Sequence, residues 1–241
     1  MKRLRSQILE RSFRKKFFTW LLEIALFGTG FFYLFFLVNC RHYRFSFVPL
    51  PSKIESLEGY ASLNISGERG KAKSKFSFLF LLPDQGRIEV FDLLGRRIYS
   101  LFIEEEEAFF VLPSKKVYWQ GKREEIIDKF LGFALSPKEM GHLLSGQWEG
   151  MQMEWNLEKD DKGRVVAGNR EELRFEVKEF FAQSSMPRLV FFNHSLDRGR
   201  LKIFTINFNQ PIKGDVFRLS FLDDFVSKTW EEIERMLDNE N

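Results

Sequence analysis

The stretch from Lys75 to Leu82 reads KFSFLFLL, and its alternating side chains predict a β-strand. Phe76, Phe78 and Phe80 fall on one face, because successive side chains of a strand point to opposite sides of the sheet. Aromatic residues of this bulk favour strands and need a large apolar interior to cover them. The segment therefore predicts a sheet with one strongly apolar face.

Similar short apolar runs lie on both sides of this strand, separated by turns rich in glycine, proline and aspartate. The further candidate strands are 60–66, 87–91, 97–103, 108–112, 116–120, 151–157, 164–167, 173–177, 189–193, 201–208 and 216–221. Short strands at this spacing are typical of an antiparallel meander.

Three helices are predicted among these strands. In 126–131 apolar residues recur at helical spacing, and Gly132 follows as a C-cap. The next helix begins at the capping box Ser136–Glu139 and ends before Gly146. An amphipathic helix is predicted over 223–241, where apolar residues are spaced by three and four positions.

The N-terminal part of the chain looks like an export segment. Basic residues precede an almost uninterrupted apolar run, 17–38, which ends just before Cys40, the only cysteine. This order is typical of a bacterial lipoprotein signal, and it places the rest of the chain outside the cytoplasm. We expect a signal peptide or membrane anchor over 1–39, a lipid on Cys40 and a tether over 40–56. Asn39 departs from the small residue usual before a lipidated cysteine, so an uncleaved anchor or an ordinary helix stays open.

The positive charge of the chain belongs to this segment. Residues 1–39 carry seven basic and two acidic side chains, and removing that +5 from the net +3 leaves the remainder at −2. The folded part therefore gives no argument for a nucleic-acid partner. A single cysteine also excludes an internal disulfide.

No set of residues in the sequence suggests catalysis. The three histidines are far apart, and none has a metal-ligand spacing. The serines lack the context of a nucleophile elbow, and Gly-x-Gly phosphate loops are absent. We expect no catalytic residues, no metal, no cofactor and no enzyme activity.

Several short motifs follow the order found in the outer-membrane lipoprotein receptor LolB and its relatives. They are Leu57-Glu58-Gly59-Tyr60, Phe76-Ser77-Phe78, Phe91-Asp92-Leu93-Leu94-Gly95, Gly132-Phe133-Ala134-Leu135-Ser136-Pro137, Leu143-Leu144-Ser145-Gly146, Met186-Pro187-Arg188-Leu189 and Arg200-Leu201-Lys202-Ile203. The segment 57–222 thus resembles a LolB-like domain. The resemblance implies a mainly β fold, an open antiparallel half-barrel of about 10–11 strands lidded by short helices.

The resemblance also implies a function. The protein would face the periplasm, accept lipoprotein acyl chains from a LolA-like periplasmic carrier, and help insert lipoproteins into the outer membrane. A loop formed by Leu93, Leu94 and Gly95 would enter the bilayer. The residues expected to line the acyl cavity are Phe76, Phe78, Phe80, Phe102, Ile126, Phe130, Leu143 and Ile203.

Other interpretations remain open from the sequence. The same composition fits a packed interior, with Leu94 buried under its turn, in a structural protein of this fold. It also fits a protein held in the inner membrane by its N-terminal helix, whose periplasmic domain binds a protein partner through the helix around Trp230. A lipid-modifying enzyme lacks candidate residues.

Overall fold

The computed structural model describes residues 50–67, 70–92, 94–151, 153–195 and 197–238. Within them, the strands are β1 (Ser56–Gly67), β2 (Gly70–Leu81), β3 (Gln85–Phe91), β4 (Arg97–Glu104), β5 (Glu107–Leu112), β6 (Val117–Lys122), β7 (Asn156–Lys159), β8 (Val165–Arg170), β9 (Leu173–Phe180), β10 (Pro187–His194), β11 (Asp197–Phe208) and β12 (Val226–Ser227). The helices are α1 (Arg123–Leu131), α2 (Pro137–Ser145) and α3 (Trp230–Asp238).

These strands form one sheet of twelve, in the order β12-β6-β5-β4-β3-β2-β1-β11-β10-β9-β8-β7. Neighbouring strands are antiparallel, except that β12 runs parallel to β6. β7 and β12 stay at separate edges, so the sheet does not close. The predicted mainly β, open half-barrel with helices is confirmed.

The alternation that predicted the strands also decides which face is covered. Phe78 and Phe80 on β2 and Ile88 and Val90 on β3 are buried, and they belong to the core that contains α1 and α2. We call this side the inner face and the opposite side the outer face. Burial of apolar area at about 25 cal/mol per Å² drives the helices onto the inner face.

The two helices between β6 and β7 end where the sequence predicted, and α2 also begins there, whereas α1 begins at Arg123 and not at residue 126. Gly132 takes the left-handed conformation after α1 at φ +85°, and its N–H donates to the Asp128 carbonyl at 2.7 Å. Ser136 and Glu139 form the capping box of α2, and Gly146 closes that helix at φ +73°. Both predicted helices are confirmed.

The strand predicted over 151–157 is mostly a loop, because β7 begins only at Asn156. Met151 and Trp155 are buried by packing of this loop onto the inner face. The Trp155 indole N–H donates to Glu139 Oε1 at 3.0 Å, and its ring packs against Phe175 at 5.5 Å. The apolar residues of this segment pack a loop against the core, so the prediction of a strand over 151–157 was wrong.

The C-terminal part also differs from its prediction. The segment 216–221 holds no strand, and Ser220–Asp224 forms a 3-10 turn. Leu222 packs against the outer face in a cluster with Phe102 and Val111. β12 then pairs with the edge of β6, and α3 lies in the inner core. We call 216–238 the strap, because it runs from the outer face around the β6 edge to the inner face.

The final helix is shorter than the predicted 223–241. Thr229 caps α3, since its Oγ1 accepts from the Glu232 N–H at 3.3 Å while Glu232 accepts from the Thr229 N–H at 3.0 Å. Ile233 is fully buried in the inner core. The helix is therefore part of the sheet's cover and begins only at Trp230.

In the part of the chain described here, no helix has the length and apolar character needed to cross a membrane. The predicted export segment 1–39, Cys40 and most of the tether 40–56 lie outside the described residues.

Candidate functional site

An apolar cavity of about 50 Å³ lies between the sheet and helices α1 and α2. All thirteen lining residues are apolar. Five of them are residues that the sequence suggested: Phe76, Phe78, Phe80, Phe130 and Leu143. The other eight are Leu63, Ile88, Phe133, Leu135, Met140, Leu144, Phe192 and Leu201. The cavity thus draws on strands β1, β2, β3, β10 and β11, on both helices and on the loop between them.

Two glycines let the phenylalanine rings of β2 lie flat over the neighbouring strands. Gly59 pairs with Phe78, and Gly86 pairs with Phe80. A Cβ at Gly59 would lie 2.5 Å from Phe78 Cζ, and one at Gly86 would lie 2.8 Å from Phe80 Cδ1. The rings therefore occupy the space of the missing side chains, and they stack at 5.9 Å from each other. This arrangement builds the floor of the cavity.

Three predicted lining residues do not reach the cavity. Ile126 and Ile203 are buried in the inner core without lining it. Phe102 lies on the outer face, because Leu101 and Ile103 on either side of it point inward. Its ring contacts Phe221 of the strap at 5.6 Å, and the Arg87 guanidinium lies 5.1 Å from its centroid.

A buried ion pair ties α2 to the sheet. Glu139, only 5% exposed, accepts from the Ser136 N–H at 2.8 Å and from the Trp155 indole at 3.0 Å, and forms an ion pair with Arg170 of β8. Arg170 also donates to the Ala134 carbonyl at 2.9 Å. We call the Glu139–Arg170 pair the latch. The sequence indicated the capping role of Glu139, but no signal identified its partner on β8.

The loop between β3 and β4 presents an exposed leucine, and its backbone is hydrogen-bonded to Asp92. Leu94 is 79% exposed, and Gly95 takes the left-handed conformation at φ +79°. Asp92 Oδ1 accepts from the N–H groups of Leu94 at 2.8 Å and Arg96 at 2.9 Å, while Arg96 Nε donates to Asp92 Oδ2 at 2.6 Å. The Arg96 backbone N–H, followed by its side chain, holds the pKa of Asp92 below its usual range. Leu93 lies outside the described residues.

Two observations describe the polar chemistry near the inner face. Among the residues that the structure describes, no group of three or more His, Cys, Asp or Glu side chains could hold a metal ion. Tyr99 contacts Phe130 edge-on at 5.5 Å, and burial raises the pKa of its phenol to about 12. The phenol therefore stays neutral at physiological pH, and the thirteen residues that line the cavity carry no charge.

No family model and no curated protein matches the chain. Among solved structures, it is similar to a LolA superfamily protein from Nitrosomonas europaea, with TM-score 0.48 and 7% identity over 71% of this chain and 94% of that one. A DUF1329 family protein from Desulfovibrio piger gives TM-score 0.48 and 9% identity over 71% and 92% of the two chains. An outer membrane lipoprotein-sorting protein domain from Vibrio parahaemolyticus gives 0.47 and 9% over the same shares. All three TM-scores lie below 0.5.

Proposed function

We propose that the inner face binds the acyl chain of a lipoprotein, and that the protein is a periplasm-facing acceptor that helps insert lipoproteins into the outer membrane. The observation that carries this proposal is the cavity beneath α1 and α2, whose lining is entirely apolar. Transfer of an acyl chain from water is worth about 0.8 kcal/mol per buried CH₂, so binding needs shape and apolar lining but no catalytic group.

The cavity is too small to hold an acyl chain in its present form. Ligand pockets are usually about 300–1,000 Å³, and this one is about 50 Å³. An acyl chain therefore enters only if α1 and α2 move away from the sheet. Movement of α2 breaks the latch, because Arg170 holds both Glu139 and the carbonyl of Ala134 before α2.

The Leu94 loop supplies the insertion step of the proposal. Transfer of an exposed leucine side chain from water into an apolar phase is favourable by about 1.5–3 kcal/mol. Asp92 accepts hydrogen bonds from the backbone of Leu94 and Arg96, which reduces the entropy that Leu94 loses when it is buried. Leu94 would enter the bilayer interface while the acyl chain leaves the inner face.

The proposal also takes in parts of the chain outside the described residues. A lipid on Cys40 would tether the domain 57–222 to the outer membrane, and a LolA-like periplasmic carrier would deliver the lipoprotein. If the N-terminal segment is retained as an anchor, the same domain would work at the periplasmic side of the inner membrane.

Titration of the protein with dansyl-labelled palmitic acid tests acyl-chain binding. We expect saturable binding that Leu143→Trp weakens at least about tenfold, because the indole fills the space beneath α2. Leu222→Trp is the matched control, since Leu222 is a buried leucine of the outer face. Equal effects of the two variants, or no binding by the unchanged protein, would contradict the proposal.

The small cavity specifically favours a second candidate, a structural or partner-binding envelope protein of the same fold with a filled interior. In that case the dansyl probe would not bind, and Leu94→Glu would leave lipoprotein insertion into vesicles unchanged. Acceptor activity predicts that Leu94→Glu stops insertion, while Met153→Glu, at another fully exposed apolar residue, does not.

A further inference from the structure

Six basic side chains form an array on the outer face of the sheet. They lie on β2 and β11, the two strands that flank β1, and we call them the basic patch: Lys71, Lys73, Lys75, Arg198, Arg200 and Lys202. The register joins them in three rows across β1, through Ser66, Asn64 and Ser62. Residues opposite each other in an antiparallel sheet point to the same face. The inward residues between them, such as Leu63 and Leu201, line the cavity.

Strand geometry fixes the spacing of this array. Two strand separations place the β2 and β11 columns about 9.5 Å apart, and successive members of a column are about 6.7 Å apart. The residues of β1 between the columns are only serine and asparagine. All members of the patch are exposed except Lys202, which is half-buried.

The charge of the patch is not neutralised by ion pairs within the part of the chain that the structure describes. None of its members forms an ion pair with another described residue. Cations about 6.7 Å apart within a column and about 9.5 Å apart between columns repel one another. The chain beyond residue 39 is slightly acidic overall, so this concentration of positive charge is a local feature.

The patch and the Leu94 loop lie at the same end of the sheet. Lys75 pairs with Phe91, the last residue of β3, and the loop follows directly. The acidic hairpin between β4 and β5, with Glu104 and Glu107 paired at its base, lies at the opposite end. A membrane surface offers anionic headgroups for the cations beside an apolar phase for Leu94, and this end of the sheet presents both kinds of side chain.

We propose that the basic patch docks this end of the outer face onto the anionic lipid headgroups of a membrane. The surface is separate from the inner face that the proposed acyl chain would use. Each cation near an anionic leaflet raises the affinity for the membrane about fivefold, so removal of three cations would lower that affinity about a hundredfold.

Lysine acetylation of the full chain, reconstituted into vesicles and read by mass spectrometry, tests this docking. With vesicles containing phosphatidylglycerol, we expect Lys71, Lys73 and Lys75 to react several-fold more slowly than with pure phosphatidylcholine vesicles. Lys178, an exposed lysine of β9, should react equally in both. At 1 M salt the protection should vanish, since the Debye length falls to about 3 Å.

A charge-matched pair of variants separates the patch from overall charge, with Lys75 as the reporter. The triple variant Lys71→Gln, Lys73→Gln and Arg200→Gln should abolish protection of Lys75. The control triple Lys159→Gln, Lys162→Gln and Lys178→Gln removes the same charge from exposed residues elsewhere and should preserve it.

Equal acetylation in the two vesicle types, or protection that survives the patch variant, would overturn docking. Protection by duplex DNA but not by anionic vesicles would also overturn it, in favour of a nucleic-acid surface. Dansyl-palmitate binding in the same samples reports the inner face separately, so it should be unchanged in the patch variant.

Discussion

At the scale of single residues, Arg170 decides how firmly α2 is held. Arg170→Met would leave the carboxylate of Glu139, 5% exposed, with only its bonds to Ser136 and Trp155. We expect a loss of about 1–3 kcal/mol in the free energy of unfolding, measured by urea denaturation. Arg174→Met is the control, because its pair with Glu158 is exposed and should cost less than about 1 kcal/mol. Equal losses would contradict the latch.

Asp92 gives the Leu94 loop a pH dependence. Because its pKa is lowered in the folded protein, its contribution is complete above the ordinary value of 3.8 and is lost as the pH falls from there through the folded pKa. We expect the amide NMR signals of Leu94 and Arg96 to move together in that acidic window. In Asp92→Asn they should not titrate there, and movement that begins well above pH 4 in the unchanged protein would contradict the assignment.

At the scale of elements, the register of β1, β2 and β3 requires a glycine opposite each inward phenylalanine ring at Gly59–Phe78 and Gly86–Phe80. A Cβ at Gly59 would lie 2.2 Å from the Thr205 carbonyl oxygen, which is backbone and has little freedom to move. Gly59→Ala should cost about 1–3 kcal/mol and lower the melting temperature by roughly 2–10 °C. Gly121→Ala in β6 meets only ring atoms of Trp119 at 3.5 Å, and it should change calorimetric stability little.

The strands and helices also show which parts of the fold and of the cavity could be predicted from the sequence. Alternation identified β2 and its inward phenylalanines, and caps identified α1 and α2, because these signals are local. The assignment of Phe102 failed because Leu101, Phe102 and Ile103 are all apolar, and β4 is covered on both faces. Ser100, which shares the face of Phe102, is itself buried, so the middle of this strand has no exposed side chain to indicate its phase. The latch and the basic patch depend on cross-strand neighbours, which sequence spacing does not give.

At the scale of the whole molecule, the strap completes the cover of the inner face. Trp230 lies 6.0 Å from the ring of Phe110 and 5.1 Å from that of Trp119. Removal of residues 230–241 would expose both rings and should raise the fluorescence of the apolar dye ANS while lowering the melting temperature. Arg235→Ala, on the exposed side of α3, is the control. Unchanged ANS fluorescence after truncation would show that the strap is dispensable.

The strands at the two edges of the sheet are also its shortest, β7 with four residues and β12 with two. Long open edges are what extended peptides use when they add a strand to a sheet. This sheet gives such a peptide little backbone to pair with. For the proposed acceptor, this predicts that a protein cargo is bound through its lipid and not through a strand added to the sheet, whatever the amino-acid sequence of the cargo.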